Sequence, residues 1–262
     1  MKISVICPTY NSSKYIDKAL SSVIQQSRLP DELIIVDDGS EDNTLEILNK
    51  YKALNKDLFN IIVICNSHQG PGAARNKGIL SSTANWIAFL DSDDYWEVNK
   101  LLEVEKKINS SSNINIICHN ETFHKKSGKK KIMRYGRKIR KDIPFFKQLY
   151  FANIFSTSAV VCKRELLIEG GLFDENLKSA QDYELWLRLA PMMTPSFLDL
   201  ELGHYIEREG NITSGSLIKR LNNELYIAMK YIDYVSKREF LFRLLRILMS
   251  YLKQLISRLL RL

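Results

Sequence analysis

The chain has 262 residues, 45% apolar and 26% charged, enough for one large buried core, which excludes a fibre or a disordered segment. Its four cysteines form no CxxC pair and read as buried, reduced thiols of a cytosolic protein rather than metal ligands or disulfides. The formal charge of +8 is unevenly placed. Met1-Lys2 leads straight into a strand, so no signal peptide is expected.

From residue 2 to about residue 119, strand and helix alternate. Residues 3–7 read as a short apolar strand, and Asn11-Ser12-Ser13 offers caps for a helix running to about Gln26. A second strand spans 33–36, followed by Asp37-Asp38-Gly39-Ser40 and a helix over 42–54. The third strand, 61–65, precedes Gly70-Pro71-Gly72, which opens a helix through Leu80; proline suits a first helical position because no backbone donor is needed there. Residues 86–90 and 114–118 complete five strands. Near-continuous apolar strands separated by helices predict an α/β fold with a mostly parallel central sheet covered on both faces.

Ligands of such sheets bind beyond the carboxyl ends of the strands. Thr9-Tyr10-Asn11, Asp37 to Ser40, Asn66 to Gly72 and Asp91-Ser92-Asp93-Asp94 all follow strand ends, so the fold brings them to one crevice. The three carboxylates of the last cluster repel one another unless a cation sits among them, and Mg²⁺ or Mn²⁺ prefers such oxygen ligands together with phosphates. Asp94 serves equally as a cap for a helix beginning near Glu97. There is no GxxxxGK[ST] loop, and Gly70-Pro71-Gly72-Ala73 lacks GxGxxG spacing, which disfavours ATPase and dehydrogenase readings.

Val5-Ile6-Cys7-Pro8-Thr9-Tyr10-Asn11, Ile35-Val36-Asp37-Asp38-Gly39-Ser40, Gly72-Ala73-Ala74-Arg75-Asn76 and Phe89-Leu90-Asp91-Ser92-Asp93-Asp94, in this order, resemble family 2 inverting glycosyltransferases of the GT-A fold. Gly170-Gly171-Leu172-Phe173-Asp174-Glu175 and the Gln181-Asp182-Tyr183 segment are similar to that family's acceptor side. The resemblance implies a transferase unit over 1–215, with a nucleotide-binding half at 1–119 and an acceptor half at 120–215. It further implies that Pro8, Tyr10 and Asp38 meet the uracil, and that Arg75, Asp91 and Ser92 approach ribose or diphosphate. Asp93 is then the direct metal ligand. An aromatic face stacks on a base and a carboxylate accepts strongly from a ring N–H, yet Tyr10 also suits a turn and Asp38 an Asx-turn with Gly39. By the same resemblance Asp182 is the base that deprotonates the acceptor hydroxyl, although an N-cap of the following helix needs the same residue. Gln181 replaces the family's usual acid, which removes a like charge and leaves Asp182 less elevated in pKa. In Tyr205-Ile206-Glu207-Arg208-Glu209-Gly210-Asn211-Ile212-Thr213, Arg208 stands where many relatives have His. Arginine cannot ligate Mg²⁺, but its fork suits a diphosphate. Ser156 and Thr157 are placed to touch donor sugar or acceptor, or to satisfy a strand edge.

Lys125, Lys126, Lys129, Lys130, Lys131, Arg134, Arg137, Lys138, Arg140 and Lys141 form a basic stretch with Ser127-Gly128 marking a hairpin turn. No aromatic platform or nucleic-acid module accompanies it, so nucleic acid is not an expected partner. An anionic membrane surface or a lipid diphosphate fits better, beside the alternative of a solvated loop. From 239 to 262, polar residues fall within a sector of roughly 140° on a helical projection. No apolar run approaches the about 20 residues of a membrane span, so residues 216–262 read as amphipathic helices lying on a membrane, or packed on the catalytic unit or a second subunit. The function so implied is inverting transfer of a hexose or N-acetylhexosamine, UDP-Glc or UDP-GlcNAc being the expected donor. The expected acceptor is a polyprenyl-diphosphate-linked or lipopolysaccharide-type glycan at the cytoplasmic face of the inner membrane. The competing reading is an inactive relative that binds nucleotide or lipid-linked glycan.

Overall fold

The computed structural model describes residues 1–177, 179–208 and 217–259. Strands β1 (Ile3–Thr9), β2 (Glu32–Asp37), β3 (Asn60–Cys65) and β4 (Trp86–Phe89) pair in parallel in the order β3-β2-β1-β4. The crossovers carry α1 (Ile16–Ile24), α2 (Thr44–Asn55) and α3 (Pro71–Ser81). Every residue of β1, β2 and β4 is buried, which explains why they run apolar without alternation. β3 is an edge strand, and this corrects one expectation: Cys65, at its end, is exposed, whereas Cys7, Cys118 and Cys162 are buried.

Beyond β4 the chain forms β5 (Tyr95–Trp96), α4 (Lys100–Asn109), β6 (Ile116–His124), β7 (Lys130–Met133), α5 (Phe145–Phe151), β8 (Val160–Lys163), α6 (Arg164–Glu169), α7 (Gln181–Leu189), β9 (Pro195–Ile206), α8 (Leu217–Lys230) and α9 (Lys237–Leu259). The sheet continues β4-β8-β6-β9-β5, with β7 paired to β6 as the hairpin that Ser127-Gly128 predicts. The expected fifth strand therefore starts at Ile116 and does not join β4 directly, because antiparallel β8 inserts between them. β9 pairs with β6 in parallel, so most strands still run one way.

Side-chain alternation along the strands sends neighbours to opposite faces. Ile6, Ile87, Phe89 and Ile116 pack with α3, α5, α6 and α7 around the fully buried Trp186. Val5, Cys7, Ala88, Leu90 and Ile117 pack with α1, α2 and α4. Helices thus cover both faces, as the apolar strands require. At the start of β2 the buried Glu32 accepts from the hydroxyls of Ser4, Ser82 and Thr83 and from the Thr83 N–H, which ties β1 and β2 to the segment that follows α3.

α9 departs from the expected arrangement. Two polar residues of its N-terminal half face the protein: Arg243 is buried, donates to the Tyr150 carbonyl and lies 4.3 Å from that ring's centroid, while Glu239 pairs with Lys147 at 2.8 Å. The carbonyls of the last turn of α5 lack partners within the helix, and Arg243 satisfies one of them. Leu241, Leu245, Leu248, Met249 and Leu252 are left exposed on the other side. Residues 260–262 of the sequence-predicted helix lie outside the described residues.

Candidate active site

A cleft of about 790 Å³ opens at the carboxyl ends of β1, β2 and β4. Pro8, Tyr10, Asp38, Arg75, Asp91, Ser92, Asp93, Ser156, Thr157, Gln181, Asp182 and Arg208 all line it. These residues come from seven separate stretches of chain, and the strand-end rule is what gathers Pro8, Tyr10, Asp38, Asp91, Ser92 and Asp93.

The loops after β1 and β2 hold one another. Asn11 donates its N–H to Ser40 Oγ at 2.9 Å and accepts the Glu41 N–H at 2.8 Å; Asp37 accepts the Ser40 N–H at 3.1 Å. Asp37 is thus a turn clasp. Asp38 forms no Asx-turn with Gly39; instead its carboxylate accepts the N–H groups of Gln69 at 2.9 Å and Gly70 at 2.7 Å, fixing the loop before α3. Tyr10, 39% exposed, lines the cleft and stacks on His68 with ring centroids 4.1 Å apart. Asn11, His68 and Ala180 all line the cleft with positive φ of 48°, 40° and 58°. Left-handed backbone in non-glycine residues is uncommon and concentrates at functional sites.

Within the acidic quartet each carboxylate has its own environment. Asp91 accepts from Arg75 Nη2 at 2.6 Å. Arg75 is buried rather than an exposed first-turn residue, and its Nε–H has no protein partner. Asp93 accepts from Arg208 Nε at 2.5 Å, and the Arg208 guanidinium lies 4.9 Å from the Tyr15 ring centroid. Burial and the Asp91 charge push the Asp93 carboxyl up, and Arg208 opposes them. Ser92 is engaged with Ser12 Oγ at 2.8 Å. Asp94 is not a helix cap: α4 begins at Lys100, and the buried Asp94 accepts from Ser158 Oγ at 2.6 Å and from the Ile206 N–H at 3.0 Å, clamping the end of β9 to the quartet. Burial, then its acidic neighbours, hold Asp94 well above the usual carboxylate range.

On the opposite wall Asp182 lies in the first turn of α7, whose N-cap is Ala180, so Asp182 is not the cap. Asn153 donates to its Oδ2 at 2.9 Å. Burial raises the Asp182 carboxyl, opposed by the Tyr183 N–H, Arg75 and Asn153. Gln181, its neighbour in sequence, turns away to the Leu177 carbonyl.

The description "Glycosyl transferase family 2" matches residues 4–171. This chain belongs to that family. It is 32% identical over 205 residues to an uncharacterized glycosyltransferase of Rickettsia conorii, covering 77% of this chain and 32% of that protein. It is 29% identical to the putative teichuronic acid biosynthesis glycosyltransferase TuaG of Bacillus subtilis, covering 71% of each. Its fold superposes on S. aureus TarS 1-349 in complex with UDP-GlcNAc with a TM-score of 0.70 and 25% identity, over 95% of this chain and 72% of that one. The chain spans about a third of the length of the Rickettsia relative.

Sequence reasoning missed several residues of the cleft in this family 2 chain. Phe123 and Tyr205 are paired neighbours on β6 and β9 with ring centroids 5.3 Å apart, and Met133 and Tyr135 follow them from the β7 side. The alternation Met133, Tyr135 inside the basic stretch was the available signal for an apolar side facing inward. Behind them Glu121 is buried, accepts from Tyr135 Oη at 2.8 Å, and is pushed up to about 7 chiefly by burial. Of the stretch around Arg208, residues 209–213 lie outside the described residues.

Proposed function

We propose that this protein transfers a hexose or N-acetylhexosamine from a UDP-sugar to a hydroxyl of a lipid-linked glycan, with inversion, at the cytoplasmic face of a membrane. The observation that carries the reading is one cleft that holds both the Arg75–Asp91 and Arg208–Asp93 pairs and Asp182, whose carboxyl burial raises. The TarS relative's complex with UDP-GlcNAc supports a UDP-linked donor, and TuaG supports a cell-envelope polymer as the acceptor class.

In this mechanism the uracil lies on Tyr10, in a slot whose floor Asp38 fixes by holding the 66–70 loop. Arg75 and Arg208 face the diphosphate. Asp182 takes the proton of the acceptor hydroxyl as its oxygen attacks the anomeric carbon, and UDP departs from the opposite face, giving a β-linkage from an α-linked donor. Burial favours this by raising the basicity of Asp182. Asp93 and Asp91 offer the hard oxygen donors that Mg²⁺ or Mn²⁺ takes. No cluster of three protein ligands stands among the described residues, so diphosphate and water would fill the remaining positions. A divalent cation there supplies charge neutralisation for the departing diphosphate.

α9 supports membrane association. No helix among the described residues is long and apolar enough to cross a membrane. Leu241, Leu245, Leu248, Met249 and Leu252 nevertheless form an exposed apolar stripe flanked by Arg246 and Lys253, the composition of an interfacial helix. Lys125, Lys129, Lys130 and Lys131 on the hairpin are exposed as well, and near an anionic leaflet each cation adds about 1 kcal/mol.

The test is UDP release from a panel of UDP-hexoses and UDP-N-acetylhexosamines with membrane extract as acceptor. Acceptor-dependent release with one donor class is expected. UDP binding without turnover under every pairing identifies an inactive relative instead. Deleting residues 239–262 is expected to abolish sedimentation with anionic liposomes; retention on them removes α9 as the anchor.

A further inference from the structure

Asp93 is already occupied by a cation of the protein's own. Arg208 Nε donates to Asp93 Oδ2 at 2.5 Å, the side chains are only 23% and 16% exposed, and Tyr15 backs the guanidinium at 4.9 Å. The backbone that presents Arg208 is fixed two residues earlier, where Ile206 N–H donates to Asp94. Asp93 and Asp94 are adjacent, so one short acidic segment holds both the strand end and the arginine that follows it. Both partners of the pair line the cleft. The guanidinium neutralises the carboxylate and covers Oδ2, so a divalent cation arriving at Asp93 meets a positive charge at contact distance and competes with it.

A nucleoside diphosphate changes the balance. It presents more negative charge than one carboxylate, and its oxygens suit the planar fork of arginine, which prefers bidentate phosphate contacts. We propose that Arg208 is a latch on Asp93: without nucleotide it neutralises the carboxylate and keeps divalent cations off it, and with nucleotide it moves to the diphosphate and frees Asp93 for the cation. The proposal rests on the reading of the cleft as a UDP-sugar and divalent-cation site. Its consequence is ordered assembly. If Asp93 is free for only a tenth of the time, the apparent affinity for the cation falls about tenfold until nucleotide arrives.

The experiment is Mn²⁺ binding followed by electron paramagnetic resonance, on wild type and Arg208→Gln, each with and without UDP, with circular dichroism confirming that the variant is folded. Wild type is expected to bind Mn²⁺ weakly alone and at least about fivefold more tightly with UDP, within the usual range of coupling between sites. Arg208→Gln is expected to bind Mn²⁺ about five- to tenfold more tightly than wild type without UDP, and to bind UDP more weakly in EDTA. A wild type that binds Mn²⁺ with UDP beside a folded variant whose nucleotide-free Mn²⁺ affinity is unchanged overturns the latch and leaves the metal reading standing. A wild type that binds no Mn²⁺ even with UDP overturns the metal reading, and the latch with it.

Discussion

On the donor wall of the cleft every carboxylate is tied down before a ligand arrives: Asp37 to Ser40, Asp38 to the Gln69 and Gly70 N–H groups, Asp91 to Arg75 and Asp93 to Arg208. On the acceptor wall Asp182 is held by Asn153 at 2.9 Å, and Phe123, Met133, Tyr135 and Tyr205 line the same cleft. Under the proposed function the cross-linked turns of the donor wall fix most positions before a nucleotide arrives, and the Asp93–Arg208 pair is the one contact that exchanges. Under the proposed function the aromatic and apolar side chains on the Asp182 side suit the exclusion of water around a proton transfer.

The pH dependence of transfer should separate the walls most strongly. Protonated Asp182 cannot accept the acceptor proton, so transfer should fall about tenfold per unit below its pKa, and burial places that limb above the ordinary aspartate range. Asn153→Ala removes a hydrogen bond that favours the charged form, so the limb should move further up; a rate profile of both proteins checks this. A smaller effect is expected at Asp38→Ala, which leaves two loop N–H groups without their acceptor and should cost about 3 kcal/mol of stability in denaturant titration, with weaker UDP binding.

Next in size is Glu32→Gln, below the donor wall. The hydroxyls around Glu32 hold its carboxyl below the usual range, so its contribution is present above the unfolded pKa of about 4.3 and is lost as pH falls through the lowered folded value. The variant should lose about 1–2 kcal/mol at pH 7 and show a flatter acid dependence of stability. The smallest effect belongs to Met133→Ala, which should raise acceptor KM about three- to tenfold by lost apolar contact while leaving donor KM unchanged. A change in donor KM there would erase the distinction between the walls.

The donor wall was legible because its groups follow strand ends within a few residues of an apolar run, and a parallel sheet places all such ends together. Pro8, Tyr10, Asp38 and Asp91 are of this kind. Asp94 was misread because its partners, Ser158 and Ile206, are 64 and 112 residues away, and nothing local distinguishes such a clamp from a helix cap. Phe123, Met133 and Tyr205 were missed for the same reason: β6, β7 and β9 meet by long-range pairing, and the basic residues between them dominated the pattern. The inward turn of Arg243 depended on a carbonyl of α5, which no periodicity of α9 encodes.

The measurement that bears most directly on the account is UDP affinity and acceptor-dependent transfer determined together for wild type and Asp182→Asn. Transfer should fall by about 10²- to 10⁴-fold, the usual contribution of a positioned base, with the UDP dissociation constant unchanged. Transfer at the wild-type rate would contradict the assignment of Asp182, and a parallel loss of UDP binding would contradict the separation of the two walls.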